Sequence, residues 1–406
     1  MKKVTIYILL FLIFISNVCA IEIKSRNAVV YNYSDDVIVY SKNENEKVQI
    51  ASLTKIITAI TVLDNTDDLN KEIVVTKNMI SNIDGYAKIN LKVGDKLTIL
   101  DLLYALMLPS AADAAQALAL TISENTVDFS VLMNRELDKI GVKNSHFDNP
   151  IGIDSENNYS TALDLSIILK YCLNNQMFKK IYESDYYYIK SIDKTIYKTL
   201  STTLKKYNLN LDMVTGAKTG FTYKAGLCLS STITIDNSNF IFIVLGSDIN
   251  YPYQIEDTIN LYNYVNSNYS HKKILSKNDK IITLKVKNSK QKEYAVYSDN
   301  DVIKYLNNSI NLDELKYYYT GITVLNKNIK TGDKIGEYII KYNEDILYKT
   351  DVYLSSNIKY YNYKLVIFII SIILLLLILC KKLKNKKNKK LPLSSFYKRI
   401  KRGWLV

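Results

Sequence analysis

The chain has 406 residues, 48% hydrophobic and 23% charged, a globular composition that excludes a disordered or fibrous protein. Its formal charge of +13 would fit a nucleic-acid binder if it were spread along the sequence. It is not spread: eleven Lys and Arg residues after Cys380, with no acid among them, and Lys2 and Lys3 together equal the whole excess. The body is therefore neutral, and no nucleic-acid partner is expected.

In chain order, Met1-Lys2-Lys3, an apolar run over 4–15 and Val18-Cys19-Ala20 read as a secretory signal peptide over residues 1–20. Residues 21–270 alternate helical and strand patterns and form the larger domain. A hairpin over 28–40 turns at Asp35-Asp36. A helix over 52–63 places Ile56, Ile57, Ile60 and Leu63 on one face. Thr98 and Asp101 open a second helix over 99–107, and Pro109 breaks it. An alanine-rich helix follows from Asp113. Further helices are expected near 128–140, stopped by Gly141, and over 161–173, capped by Ser160. Tyr186-Tyr187-Tyr188 reads as edge strand, and 227–235 and 240–245 as strands.

The texture then changes. Segments 281–286, 293–297, 321–325 and 335–341 read as short strands of a small all-β spacer domain over 271–356. Residues 365–380 are apolar except for Ser371 and read as a transmembrane helix. The basic tail, 381–406, places that end in the cytoplasm and the body on the extracytoplasmic side of the cell membrane. Cys172 and Cys228 are expected to be free, buried thiols.

Only two histidines, His146 and His271, are present, and they fall in different domains. A histidine-based zinc site is poorly supported, no Gly-x-Ser-x-Gly elbow exists, and neither metal nor cofactor is expected. Serine chemistry without histidine remains. Ser52-Leu53-Thr54-Lys55 puts a hydroxyl and an amine one turn apart on one helix face. A buried Lys55 would lose its proton readily and take that of Ser52. Lys218-Thr219-Gly220 leads into Phe221 on a strand, offering a charge and a hydroxyl to a carboxylate and an edge where a peptide can pair. Ser-x-x-Lys recurs elsewhere, as at Ser191, Ser270, Ser289 and Ser395, and Lys-Thr-Gly at Lys330, without comparable context.

Ala51-Ser52-Leu53-Thr54-Lys55, residues 146–154, Tyr159-Ser160-Thr161-Ala162 and Lys218-Thr219-Gly220-Phe221-Thr222 come in an order that resembles the serine-type D-Ala-D-Ala carboxypeptidases, the low-molecular-mass penicillin-binding proteins. The resemblance covers about residues 27–248. It implies a mixed α/β, β-lactamase/transpeptidase-like fold, an acyl-enzyme on Ser52, removal of the terminal D-Ala from peptidoglycan stem peptides, and covalent inhibition by β-lactams. It further implies Lys55 as base, Ser110 as proton relay, Lys218, Thr219 and Gly220 as the substrate-binding strand, and the N–H groups of Ser52 and Phe221 as the oxyanion hole.

One block departs from the pattern. The family's Ser-x-Asn is here Ser110-Ala111-Ala112, and Ala112 can contact neither the lysine nor a substrate amide. An uncompensated loss would cost about 2.7–4 kcal/mol, on the order of 10²–10³-fold in rate. Two alternatives therefore stand beside the carboxypeptidase. Ala112 favours a membrane-tethered wall-binding relative that is weak or inactive as an enzyme. A β-lactamase shares the motifs, but the spacer and membrane span count against it.

Overall fold

The computed structural model describes residues 21–387; the expected leader and the tail beyond 387 lie outside the described residues. The chain forms two compact units, one running through Lys272 with Lys304–Ser309, the other comprising Lys273–Ile303 and the chain from Ile310.

In the first unit, strands β1 (Asn27–Asn32), β2 (Val37–Lys42), β5 (Val214–Thr222), β6 (Gly226–Ile235) and β7 (Ser238–Ser247) make an antiparallel sheet in the order β2-β1-β7-β6-β5. Side chains alternate across a strand, and both faces here are covered, so both alternating sets are apolar. Val29, Tyr31, Ile241, Ile243 and Leu245 enter the large core shared with the helices. Ala28, Val30, Phe240, Phe242 and Val244 pack on the other side with Leu261 and Val265 of a C-terminal helix, Tyr253–Asn268. The Lys-Thr-Gly strand β5 lies at one edge.

The helical layer comprises α1 (Lys55–Asp64), α2 (Ile99–Met107), α3 (Ala112–Ile122), α4 (Thr126–Ile140), α5 (Ala162–Leu173), α6 (Gln176–Glu183) and α7 (Thr199–Tyr207); Tyr253–Asn268 is α8. Two expectations shift. The segment expected as one helix over 52–63 begins as a 3-10 turn, Ala51–Thr54, and becomes α-helical only at Lys55. Thr161, not Ser160, caps α5: its hydroxyl accepts the Asp164 N–H, while the Ser160 backbone is committed to a bridge with Val48. Gly141 ends α4 in the left-handed conformation, as expected. Cys172 and Cys228 are free and buried.

Tyr186–Ile189 (β3) and Lys194–Tyr197 (β4) form a hairpin whose alternation explains the tyrosine run. Tyr186 and Tyr188 face outward, whereas Tyr187 turns in, stacks on Tyr104 at 3.8 Å and donates to Asp101 at 2.9 Å. Asp101 also closes a capping box with Thr98 at the start of α2.

The second unit is β-rich. Lys280–Val286 pairs with Glu293–Tyr297 and Val324–Leu325, and Lys334–Tyr342 pairs with Lys316–Gly321 and Asp345–Tyr353. The last strand is mostly exposed, which is why it carries no clear apolar alternation in the sequence. Tyr363–Lys387 is one continuous helix that runs beyond the sixteen apolar residues expected, into lysines at its end. At about 1.5 Å per residue it exceeds the roughly 30 Å of a bilayer core. It is the one helix among the described residues long and apolar enough to cross a membrane.

Asp101→Ala removes the capping box and leaves the Tyr187 hydroxyl without its acceptor. The expected loss is about 1–3 kcal/mol, read from chemical denaturation of the full-length protein in detergent.

Candidate active site

A cleft of about 410 Å³ opens where the 3-10 turn, the break after α2, the start of α7 and strand β5 converge. Ser52, Lys55, Ser110, Thr219, Gly220 and Phe221 all line it, so most of the residues singled out from sequence meet in space. Lys218 sits behind them: it is fully buried, and its Nζ donates to Ser110 Oγ at 2.8 Å and to the Thr219 carbonyl at 3.0 Å.

Lys55 heads α1 and is also buried. Its Nζ donates to Ser52 Oγ at 3.0 Å and to the Ile151 carbonyl at 2.6 Å. Burial drives its pKa from 10.5 down to about 7, against the opposing pull of the Asp113 carboxylate. Burial also pushes Lys218 well below its ordinary value, and the neighbouring Lys55 charge adds to this. Two buried amines thus sit close together, and each faces a serine hydroxyl.

The Ile151 carbonyl was not singled out from sequence. It is presented by a tight loop in which Asn149 Oδ1 accepts the N–H groups of Ile151, Gly152 and Ile153. The loop also binds α1, since Thr58 donates to the Pro150 carbonyl at 2.8 Å, and β5, since Thr222 donates to Asp154 at 2.7 Å. Backbone acceptors carry no residue signature, which is why only the side chains were legible. The loop also bears on Ala112, because it gives Lys55 an acceptor where Ala112 offers no side-chain partner. Ala112 itself is buried, its N–H bonded to the Ala87 carbonyl at 2.7 Å.

Backbone strain gathers here. Ala51 (φ 49) and Ser110 (φ 65) are non-glycine residues in the left-handed region, at about 1–3 kcal/mol each. Two glycines permit the close packing around them. A Cβ on Gly152 (φ 89) would lie 2.1 Å from the Ala51 carbonyl oxygen, and one on Gly220 would lie 2.9 Å from that of Ile50. Strand β5 therefore passes the nucleophile turn at backbone distance.

The decoys fall elsewhere. Lys330-Thr331-Gly332 forms a turn of the second unit, where Thr331 bonds Asn357. Ser289 donates to the Lys359 carbonyl, and Ser395 lies outside the described residues. His146 is away from the cleft, with its Nδ1 2.6 Å from the Asn157 carbonyl.

Residues 15–249 match the model of the D-alanyl-D-alanine carboxypeptidase family, more than half of the chain. The chain belongs to that family. Residues 269–360 match the C-terminal domain of penicillin-binding protein 5. The D-alanyl-D-alanine carboxypeptidase DacF of Bacillus subtilis is 25% identical over 343 residues, 83% of this chain and 86% of its own. A D-alanyl-D-alanine carboxypeptidase of a Streptomyces species is 32% identical over 247 residues, 57% of this chain and 84% of its own. Among solved structures, penicillin-binding protein 5 of Haemophilus influenzae superposes with a TM-score of 0.68 at 22% identity, covering 83% of this chain and 98% of that one. The fold is thus the mixed α/β penicillin-binding-protein fold with a C-terminal all-β domain, as expected.

Gly152→Ala is expected to cost about 1–3 kcal/mol from its backbone angle alone and to displace the Ala51–Thr54 turn. Thermal unfolding of the full-length protein reads the first effect, and the yield of acylation by a fluorescent penicillin reads the second.

Proposed function

We propose that the protein is a membrane-anchored serine carboxypeptidase that removes the terminal D-Ala from peptidoglycan stem peptides through an acyl-enzyme on Ser52. The observation that carries this is the Ser52–Lys55 hydrogen bond, made by a buried amine whose pKa lies near 7. About half of such amines are neutral at neutral pH, so the base exists where it is needed.

Ser52 Oγ attacks the carbonyl carbon of the penultimate D-Ala while its proton passes to Lys55 Nζ. The oxyanion is held by the N–H groups of Ser52 and Phe221, which the close passage of β5 at Gly220 brings near one another. As the C–N bond breaks, Lys55 passes the proton it took from Ser52 through Ser110, held by its hydrogen bond to Lys218, to the leaving D-Ala amine and is neutral again. Water, deprotonated by Lys55, then cleaves the ester and restores Ser52. Thr219 and the charge of Lys218 behind it hold the substrate carboxylate, and the arriving anion favours the protonated lysine. A β-lactam follows the first half of the same path and remains as an acyl group.

The second reading, a wall-binding relative without turnover, rests on Ala112. The Ile151 carbonyl weakens it, because Lys55 keeps two hydrogen-bond partners without the Asn. For location, the apolar helix Tyr363–Lys387 supports a membrane anchor. The lysine-rich segment that follows it and the leader pattern at 1–20 support an extracytoplasmic catalytic domain. The domain limits 21–270 and 271–356 are proposed on the same footing.

The full-length protein in detergent is expected to release D-Ala from a stem pentapeptide, and Ser52→Ala to abolish release; a folded wild type that releases none sinks the enzyme reading. The rate should rise with pH through an acid limb near 7 as Lys55 loses its proton. The folded pKa lies below the unfolded one, so the unfolded chain binds more protons between pH 7 and 10.5. Lys55 therefore makes stability rise with pH across that window. A flat rate profile from pH 6 to 8 would remove Lys55 as the base.

A further inference from the structure

The helix Tyr363–Lys387 does not leave the second unit through a free linker. A turn at residues 287–290 grips its entry. The Tyr361 N–H donates to the Asn288 carbonyl at 2.7 Å, and the Tyr363 hydroxyl to Asn288 Oδ1 at 3.2 Å. Beside them Ser289, 1% exposed, forms a backbone bridge with Tyr360 and donates through Oγ to the Lys359 carbonyl at 2.8 Å. Two further segments join the same end. The Lys287 N–H bonds to the Leu325 carbonyl at 3.0 Å, and the Thr331 hydroxyl donates to Asn357 Oδ1 at 2.8 Å. Each of these segments carries lysines: Lys287, Lys290, Lys327, Lys330, Lys359 and Lys364, all exposed. The ion pairs of the second unit use Lys273, Lys334 and Lys349, and none of these six. Glu293 and Asp333 are the only acids close to them in sequence, and Asp333 is turned to the Lys330 N–H at 2.8 Å. No acid occurs between Leu354 and Lys387.

The apolar stretch sets the depth of this end. Residues 365–380 span about 24 Å at about 1.5 Å per residue, short of a bilayer core of roughly 30 Å. A short span draws its flanks toward the core, so Tyr361, Tyr363 and Lys364 are placed at the interface. The turn bonded to them has no slack and goes with them, into a headgroup layer about 5–7 Å thick on each side. We propose that the lysine-bearing end of the second unit, clasped to the start of its apolar helix, docks on anionic phospholipid headgroups of the leaflet that the helix enters. The helix fixes where the chain crosses; the lysines determine how closely the unit above it is held, and on which lipids. Each lysine near an anionic surface favours contact about fivefold, and the attraction fades over about 8 Å at physiological salt. One hydrogen-bonded frame carries all six, so their attractions act together. The inference rests on the membrane-anchor reading and is independent of the serine chemistry.

The test reconstitutes the full-length protein in nanodiscs of phosphatidylcholine, with or without phosphatidylglycerol. Lysines are labelled with a water-soluble acylating reagent and read by mass spectrometry. Labelling of Lys287, Lys290, Lys327 and Lys330 should fall about fivefold in the anionic discs at low salt. It should recover at about 1 M salt, where screening acts over about 3 Å. Lys287→Glu with Lys290→Glu should return Lys327 and Lys330 toward their rates in neutral discs. The same double variant should keep the melting temperature and the D-Ala release from a soluble pentapeptide of the wild type. Equal labelling in the two kinds of disc overturns the inference and leaves the anchor standing. So does protection that survives both high salt and charge reversal, which would mark lysines covered by something other than charged lipid. A protein that floats with neither kind of disc removes the anchor, and this inference with it.

Discussion

The burial of Lys55 is the constraint on which the rest of the site depends. An amine taken out of water holds its proton weakly, and here the loss reaches a pKa of about 7 despite the Asp113 carboxylate. Such a group is tolerable only if its remaining donors are met, and Ser52 Oγ and the Ile151 carbonyl meet them. The loop of residues 149–154 follows from this requirement. It presents one carbonyl to Lys55 and another to Thr58, and ties its own end to β5 through Asp154 and Thr222. Lys218 is held in the same way behind Ser110, with Lys55 close enough to lower its pKa further.

The strain at Ala51 and Ser110 belongs to the same economy. A serine within a regular helix would be shielded by the preceding turn, whereas the left-handed residue before Ser52 and the 3-10 geometry after it set the hydroxyl at the cleft wall. Ser110 takes up the left-handed angle itself, between the end of α2 and the start of α3. The flanking backbone holds it: the Ala111 N–H bonds to the Ala105 carbonyl, and the Ala112 N–H to that of Ala87. Neither residue would choose this conformation alone, so the surrounding packing imposes it. Costs of this kind concentrate where function requires them, while the sheet and helices beneath are regular and densely apolar.

The second unit and the apolar helix are built on different patterns. The β-rich unit offers many short strands and no serine–lysine pair in a comparable cleft among its described residues. Its Lys-Thr-Gly string shows how little such a string means without the neighbouring elements. In Tyr363–Lys387 the helix runs past the apolar stretch at both ends, into residues that the sequence pattern alone assigned to its flanks.

Much of this was legible in the sequence because side-chain chemistry and periodicity are local. The Thr98–Asp101 capping box, the Gly141 stop, the apolar strands and the Ser52–Lys55 and Lys218–Gly220 strings each depend on residues a few positions apart. The family resemblance then joined strings that no local rule could join. Other features were decided only by the tertiary structure, because they arise where distant segments meet. The Ile151 carbonyl reaches Lys55 from a loop about 100 residues beyond Ser52. Backbone carbonyls bear no residue identity. The order β2-β1-β7-β6-β5, which sets Lys-Thr-Gly at an edge beside the nucleophile turn, likewise depends on pairings across more than 200 residues. By itself the sequence determined which chemical groups were available and in what local geometry; folding decided which of them lost water and came within a hydrogen bond of Ser52.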